Sequence, residues 1–264
     1  VITIFTTTKP MKGQDKINQA NAIGSWLVMP QGPQIIVFAE EKERHIFEEM
    51  GATVITTHRR NERGTPFLDS MFTLAETNAR YPYIVYANAD IILFDDIYRA
   101  VRIAVEAGHP EFLIVGQRTD IEWHSGMNFA NPIWKHALRD YARRTGTLVA
   151  PTGKDYFIFA KPFTVRMANL LVGRLAWDTW LVREAHNMRL PLMDATPTIM
   201  ALHVKHDYSH LAGGRTEYTM GPGCQWNHRI SQQQQAKIAG HITDANLVIA
   251  NGRLWDRKEY EVSQ

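Results

Sequence analysis

From Ile2 to Gly116 the chain alternates short apolar runs with helix-length segments. That order confines it to a largely parallel sheet covered by helices. Strands are predicted at residues 2–6, 34–39, 53–57 and 112–116. A helix at about 15–28 sets Ile17, Ala20, Ile23 and Leu27 on one face, and an acidic helix at about 40–50 is stopped by Gly51. After the polar loop 58–64, Thr65 and Pro66 read as N-cap and first residue of a helix carrying Phe67, Met71, Leu74 and Ala75. Asp95 or Asp96 caps a further helix that Gly108 ends.

Within this pattern the stretch 83–96 stands apart. An apolar strand from Tyr83 runs into the polar break Asn88-Ala89-Asp90, and a second apolar run follows. The break holds a carboxylate at the carboxyl end of a buried strand, where open α/β sheets collect ligands. A carboxylate there, with a carboxamide two residues earlier, can present oxygen to a hard divalent cation. Both residue types also suit a simple turn.

The second half is less regular. Asn131 and Pro132 start a helix that Gly146 ends, residues 155–160 form a strand, 177–188 a helix and 191–194 a short strand. Gly213-Gly214 and Gly221-Pro222-Gly223 lie in a long turn-rich segment that reads as a mobile lid, and Gln232 to Gln235 read as a helix surface. With 264 residues, 45% of them apolar, and no repeat or linker, the expectation is one α/β domain. Residues 1–120 read as a nucleotide-binding half.

A net charge of +2 without a basic run argues against nucleic acid as a partner, and no apolar run reaches membrane-span length. The one cysteine, Cys224, excludes an intrachain disulfide and fits a reducing compartment, the cytoplasm. The chain opens on an apparent strand without Met, which leaves no room for a signal peptide and suggests removal of something upstream.

Five further segments carry chemistry. Residues 202–210 gather His203, His206, Asp207 and His210; a carboxylate, an imidazole and two diphosphate oxygens would suit Mn²⁺ or Mg²⁺. In 173–180 a glycine turn leads into a helix with Asp178 in or before its first turn, where the helix dipole favours a carboxylate suited to act as a general base. Trp177 and Trp180 beside it can form a platform for a pyranose, or fill core. Thr6, Thr7, Thr8 and Lys9 follow the first strand with hydroxyls and an ammonium. Arg60 or Arg63 can pair with a diphosphate near a helix end, and Asp69 lies one turn into that helix. Gly153 permits close approach, Asp155 can bind sugar hydroxyls, and Gln117, Arg118 and Asp120 can line an acceptor side. Trp123, Trp134, Trp226 and Tyr208 can face an acceptor or fill core.

The order of these motifs over roughly residues 1–210 resembles the glycosyltransferase-A fold of nucleotide-sugar-dependent glycosyltransferases. Asn88-Ala89-Asp90 resembles its Asp-x-Asp signature with Asn88 in place of the first acid. The resemblance implies a nucleoside-diphosphate sugar donor and a glycan or other hydroxyl acceptor, with 121–264 as the acceptor-binding half. It implies Asp90 with His206, or with His203, on Mn²⁺ or Mg²⁺, and Asp178 as the base of an inverting displacement. It also places Thr6 to Lys9, Arg60, Asp69, Asn88, Ala89, Asp155 and Trp177 around the donor. Two other readings remain open from the sequence. A nucleotidyltransferase would show a glycine-rich phosphate loop after the first strand, where residues 6–13 hold one glycine; a silent sugar- or nucleotide-binding module is favoured by Asn88.

Overall fold

The computed structural model describes residues 1–205 and 214–264. The chain opens with β1 (Ile2–Thr7), α1 (Gly13–Leu27), β2 (Gln34–Phe38), α2 (Arg44–Glu49) and β3 (Thr53–Ile55). It continues with α3 (Leu68–Asn78), β4 (Tyr83–Ala87), β5 (Ile91–Ile92), α4 (Asp96–Glu106) and β6 (Leu113–Ile121). Then come α5 (Trp134–Thr145), β7 (Thr147–Leu148), β8 (Lys154–Ala160), α6 (Trp177–Asn187), β9 (Leu192–Asp194) and β10 (Ala201–Val204). α7 (Gly214–Met220), α8 (Pro222–Gln233), β11 (Leu247–Ala250), β12 (Arg253–Asp256) and α9 (Arg257–Val262) follow the gap.

The strands lie in the order β12-β11-β9-β6-β8-β4-β1-β2-β3. β8 runs antiparallel to β4 and β6, and β12 to β11; the other neighbours on this path pair in parallel. This is an α/β fold with a mostly parallel sheet flanked by helices. Alternation along each strand divides the core between the two sheet faces. Val85, Ala87, Tyr156 and Ile158 pack with Ala22, Ile23 and Trp26 of α1 and with Ile97, Ala100 and Ala104 of α4. Ile84, Tyr86, Phe157 and Phe159 pack with Leu68, Met71 and Phe72 of α3 and with Trp177, Trp180 and Leu181 of α6.

α1 buries a different face from the expected one. Asn18, Gln19, Asn21 and Ser25 are buried beside Ala22, Ile23 and Trp26, while Ile17, Ala20 and Leu27 are only partly covered. The reason is polar satisfaction of neighbouring loops. The Asn21 amide donates to the Ser125 carbonyl at 2.9 Å and accepts from the Met127 N–H at 2.8 Å. The Leu93 N–H donates to Ser25 Oγ at 3.3 Å. α1 therefore acts as an anchor for the loops at the sheet edge.

Other expectations shift for local reasons. Helix α3 starts at Leu68 with Phe67 as its N-cap. Thr65 instead closes a loop onto Asn61, and Pro66 bridges Arg60. The strand expected to stop at Gly116 continues to Ile121, because β10 pairs along its far half. Gln117, Arg118 and Asp120 therefore lie within a strand. The β6–β8 register shifts between Val115 and Gln117; a Cβ on Gly116 would meet the Tyr156 hydroxyl at 1.9 Å, so the glycine lets that ring cross the bulge. The described part of the turn-rich segment forms α7 and α8 in place of a loop. Asn251 and Gly252, both at positive φ (51° and 81°), make the two-residue turn of the β11–β12 hairpin. No helix among the described residues is long and apolar enough to cross a membrane.

Candidate active site

Because β8 is antiparallel to β4, its amino end lies beside the carboxyl end of β4: Ala87 pairs with Tyr156, and the Asn88 N–H donates to the Asp155 carbonyl at 2.9 Å. The same reversal brings in β6, where Gln117 pairs with Lys154, and β10 adds His203 opposite both Asp120 and Ile91. Residues far apart in the sequence thus meet along one sheet edge.

Asp90 sits in the turn between β4 and β5, 6% exposed. Its Oδ2 accepts from Lys9 Nζ at 2.7 Å, and the same ammonium lies 3.7 Å from Asp15 Oδ1. The Lys9 backbone is clamped at both ends by Gln19: its N–H donates to Gln19 Oε1 at 2.7 Å and its carbonyl accepts from Gln19 Nε2 at 3.1 Å. Burial acts to lower the Lys9 pKa, but the Asp90 and Asp15 carboxylates outweigh it and hold the ammonium above its ordinary value.

A chain of polar contacts crosses four strands beside this pair. The Tyr86 hydroxyl donates to Asn88 Oδ1 at 2.8 Å, and Asn88 Nδ2 donates to Asp155 Oδ1 at 2.7 Å. Arg118 donates through Nη1 to Asp155 Oδ2 and through Nε to Asp120 Oδ1 at 2.9 Å. His203 Nδ1 lies 2.9 Å from the same Asp120 oxygen. Asn88 is thus the amide that joins Tyr86 to Asp155; an acid in its place would set two carboxylates against each other. Desolvation alone raises the Tyr86 phenol well above its ordinary pKa, and the Asp155, Asp90 and Asp178 carboxylates raise it further. Three acids from three elements therefore act on one buried hydroxyl. Burial acts to raise the Asp120 carboxyl, yet bonds from His203 and Arg118 bring it below its ordinary value.

Asp178 lies in the first turn of α6, entered through Ala176 at φ 78°. Its Oδ2 is 3.2 Å from Lys154 Nζ; the Lys154 side chain is fully buried, while that of Asp178 is 21% exposed. Trp177 and Trp180 are core residues at 5% and 6% exposure. The Trp177 ring meets Tyr86 edge-on with centroids 5.1 Å apart. Neither ring is open as a pyranose platform, because the packing of α6 against β4 and β8 consumes both. Asp178 and Thr179 are the partly exposed residues of this turn.

The remaining residues spread along the edge. Thr6 is buried, the Thr7 hydroxyl donates to the Phe38 carbonyl at 3.1 Å, and the Thr8 N–H reaches the same carbonyl at 3.4 Å. Arg60 donates to the carbonyls of Gly64 at 3.0 Å and Ala39 at 3.4 Å, so its guanidinium ties the loop to the end of β2. Asp69 pairs with Arg59, which also reaches Asn169 Oδ1 at 2.6 Å. Arg63 faces Glu217 at 3.7 Å. His206 lies outside the described residues, as do Asp207, Tyr208 and His210.

The chain matches no family model. No curated protein sequence matches it either. Similar solved structures do exist. One is S. aureus TarS 1–349, at 10% identity and TM-score 0.42, where the match covers 77% of this chain and 57% of that one. Another is the mannosyltransferase PcManGT from Pyrobaculum calidifontis, solved in complex with GDP-Man and Mn²⁺, at 12% identity and TM-score 0.45, with 77% of this chain and 56% of that one covered. The 4-diphosphocytidyl-2C-methyl-D-erythritol synthase of Anaerococcus prevotii matches at 8% identity and TM-score 0.38 over 88% and 98% of the two chains. The chain thus spans less than two thirds of the TarS and PcManGT structures.

Sequence reasoning passed over Lys154, Tyr86 and His58. Tyr86 was legible only as a strand residue, and Lys154 fell just before the strand expected at 155–160. His58 follows β3 with its ring edge-on to Phe38 at 5.4 Å, and both ring nitrogens are buried without a hydrogen-bond partner. Desolvation, then the Arg60 charge, lower its pKa from 6.5 to about 4; the Ile55 backbone pulls the other way without completing a hydrogen bond of good geometry. The unfolded chain therefore takes up a proton between about pH 6.5 and 4 that the folded chain refuses, so stability is present above that window and falls as pH drops through it. Urea unfolding at pH 7 and pH 4.5 should show His58→Asn flattening this fall by on the order of 1–2 kcal/mol, after allowance for partial solvent screening.

Proposed function

We propose that the chain transfers a sugar from a nucleoside-diphosphate sugar to an acceptor hydroxyl, with inversion. The observation that carries this reading is the row of three held carboxylates, Asp90 on Lys9 at 2.7 Å, Asp155 on Asn88 at 2.7 Å and Asp178 on Lys154 at 3.2 Å, at the sheet edge where ligands of such folds bind. The donor lies between the end of β1, followed by Thr8 and Lys9, and the Asn88-Ala89-Asp90 turn; Thr6, fully buried within β1, stands behind it. Lys9 and Arg60 face the diphosphate. Ala89 leaves room for the backbone to approach it, and Asp155, near the amino end of the central strand β8, orients the donor sugar. Asp69 lies farther along the same edge.

Asp178 accepts the proton of the acceptor hydroxyl as that oxygen attacks the anomeric carbon from the face opposite the diphosphate. The bond from the anomeric carbon to the diphosphate oxygen breaks, and its electron pair leaves with the phosphate. Such a displacement inverts the anomeric centre.

A divalent cation fits this edge. The Lys9 ammonium already stands as a cation on Asp90 Oδ2, and Asp120 holds His203 Nδ1 at 2.9 Å, a carboxylate partner of the kind that orients a metal-binding imidazole. Asp90 with His203, or with His206, would hold Mn²⁺ or Mg²⁺, which when bound supplies positive charge to the leaving diphosphate. Among the described residues no three His, Cys, Asp or Glu side chains gather into a cage, so diphosphate oxygens would complete the shell.

The test is nucleoside diphosphate release from a panel of UDP-, GDP-, CDP- and dTDP-sugars with Mn²⁺ and a mixture of hydroxyl acceptors. Release from one nucleotide family is expected. No release from any donor, by a protein that melts cooperatively, would sink the reading.

A further inference from the structure

Lys9 is more than a loop lysine. Gln19 fixes both polar groups of its backbone and is itself 1% exposed, so the ammonium is delivered from a rigid base. It lies 2.7 Å from Asp90 Oδ2 and 3.7 Å from Asp15 Oδ1, between one carboxylate from the strand edge and one from the first turn of α1. Asp15 keeps 17% side-chain exposure against 8% for Asp90. A divalent ion on Asp90 would meet this ammonium at close range, where like charges in a half-buried site repel strongly. That repulsion sets the two cations in competition for Asp90, and Asp15 is near enough to receive the ammonium when it moves.

Resting on the proposed donor site, we propose that Lys9 is a resident cation that competes with the divalent ion for Asp90. It would hold Asp90 in the empty site and shift towards Asp15 and the donor phosphates when the ion loads. The ion would then bind weakly alone and more tightly with the nucleotide, which gives the displaced ammonium a new anionic partner. The site would load its metal and its donor together.

The experiment is a titration with MnCl₂ alone, followed by the electron paramagnetic resonance signal of free Mn²⁺, on wild type, Lys9→Met, Lys9→Gln and Asp90→Asn. Both Lys9 variants should bind Mn²⁺ about tenfold or more tightly than wild type, because a competing charge has gone, and Asp90→Asn should lose the binding. Lys9→Gln retains a hydrogen-bond donor, so it reports on charge if Lys9→Met folds poorly. Equal or weaker Mn²⁺ binding in both folded Lys9 variants would overturn the proposal, as would absence of Mn²⁺ binding from wild type and both Lys9 variants. The diphosphate-release panel reads the transferase assignment separately, so one can fail while the other stands.

Discussion

Asp178→Asn is expected to lower kcat by about 10²–10⁴-fold while nucleoside diphosphate affinity stays within about twofold of wild type, a change too small to mark a lost contact. The side chain keeps its shape but can no longer take the acceptor proton. The substitution also strips the fully buried Lys154 side chain of its anionic partner, leaving it the Thr152 carbonyl at 3.0 Å. A loss of stability of about 1–3 kcal/mol is therefore expected beside the loss of rate. The pair Lys154→Met with Asp178→Asn separates the two effects: it should recover much of the stability and none of the activity. Steady-state kinetics with the active donor, read beside thermal melts, decide this. Asp178→Asn at wild-type rate would remove Asp178 from the chemistry.

The second large effect is expected at Asp155. Its two oxygens accept from Asn88 and Arg118, and the Asp155 and Arg118 side chains are 10% and 22% exposed. Asp155→Ala leaves the Asn88 amide and one arm of the Arg118 guanidinium without their acceptor while Asp120 still holds the other arm, for an expected loss of about 1–3 kcal/mol in urea unfolding. The damage should spread, because Arg118 also positions Asp120 and through it His203. Arg118→Ala with Asp155→Ala should cost clearly less than the sum of the single changes, since the two act on one network. Strict additivity would mean that the two side chains are energetically independent.

The sequence made the first sheet half legible because its strands are buried on both faces and its helices separate them in regular order. It also marked Asp90 and Asp178, each at the end of an element where a lone carboxylate stands out. The polar network was not legible. Its members lie on β4, β8, β6 and β10, and only the reversed direction of β8 brings Asn88, Asp155 and Arg118 together. Asn88 read as a weakened acid in isolation; beside Asp155 it is the residue type the network needs. The buried face of α1 was missed because the helix buries amides that bond to distant loops, against the rule that apolar stripes face the core. The tryptophans of α6 carried no signal of their own, since an aromatic beside an acid suits a sugar platform and a core equally. The β11–β12 hairpin was the avoidable miss: Asn251-Gly252 between the apolar run 247–250 and Arg253-Leu254-Trp255-Asp256 is a strong local turn signal.

Calorimetric titration of nucleoside diphosphates and their sugars onto wild type and Asp90→Ala, with Mn²⁺ and again with EDTA, tests the central claim most directly. Binding of one nucleotide family, strengthened by Mn²⁺ and with that increment lost in Asp90→Ala, is the predicted result. No binding by any nucleotide under either condition, or an Mn²⁺ increment that survives in Asp90→Ala, would contradict it.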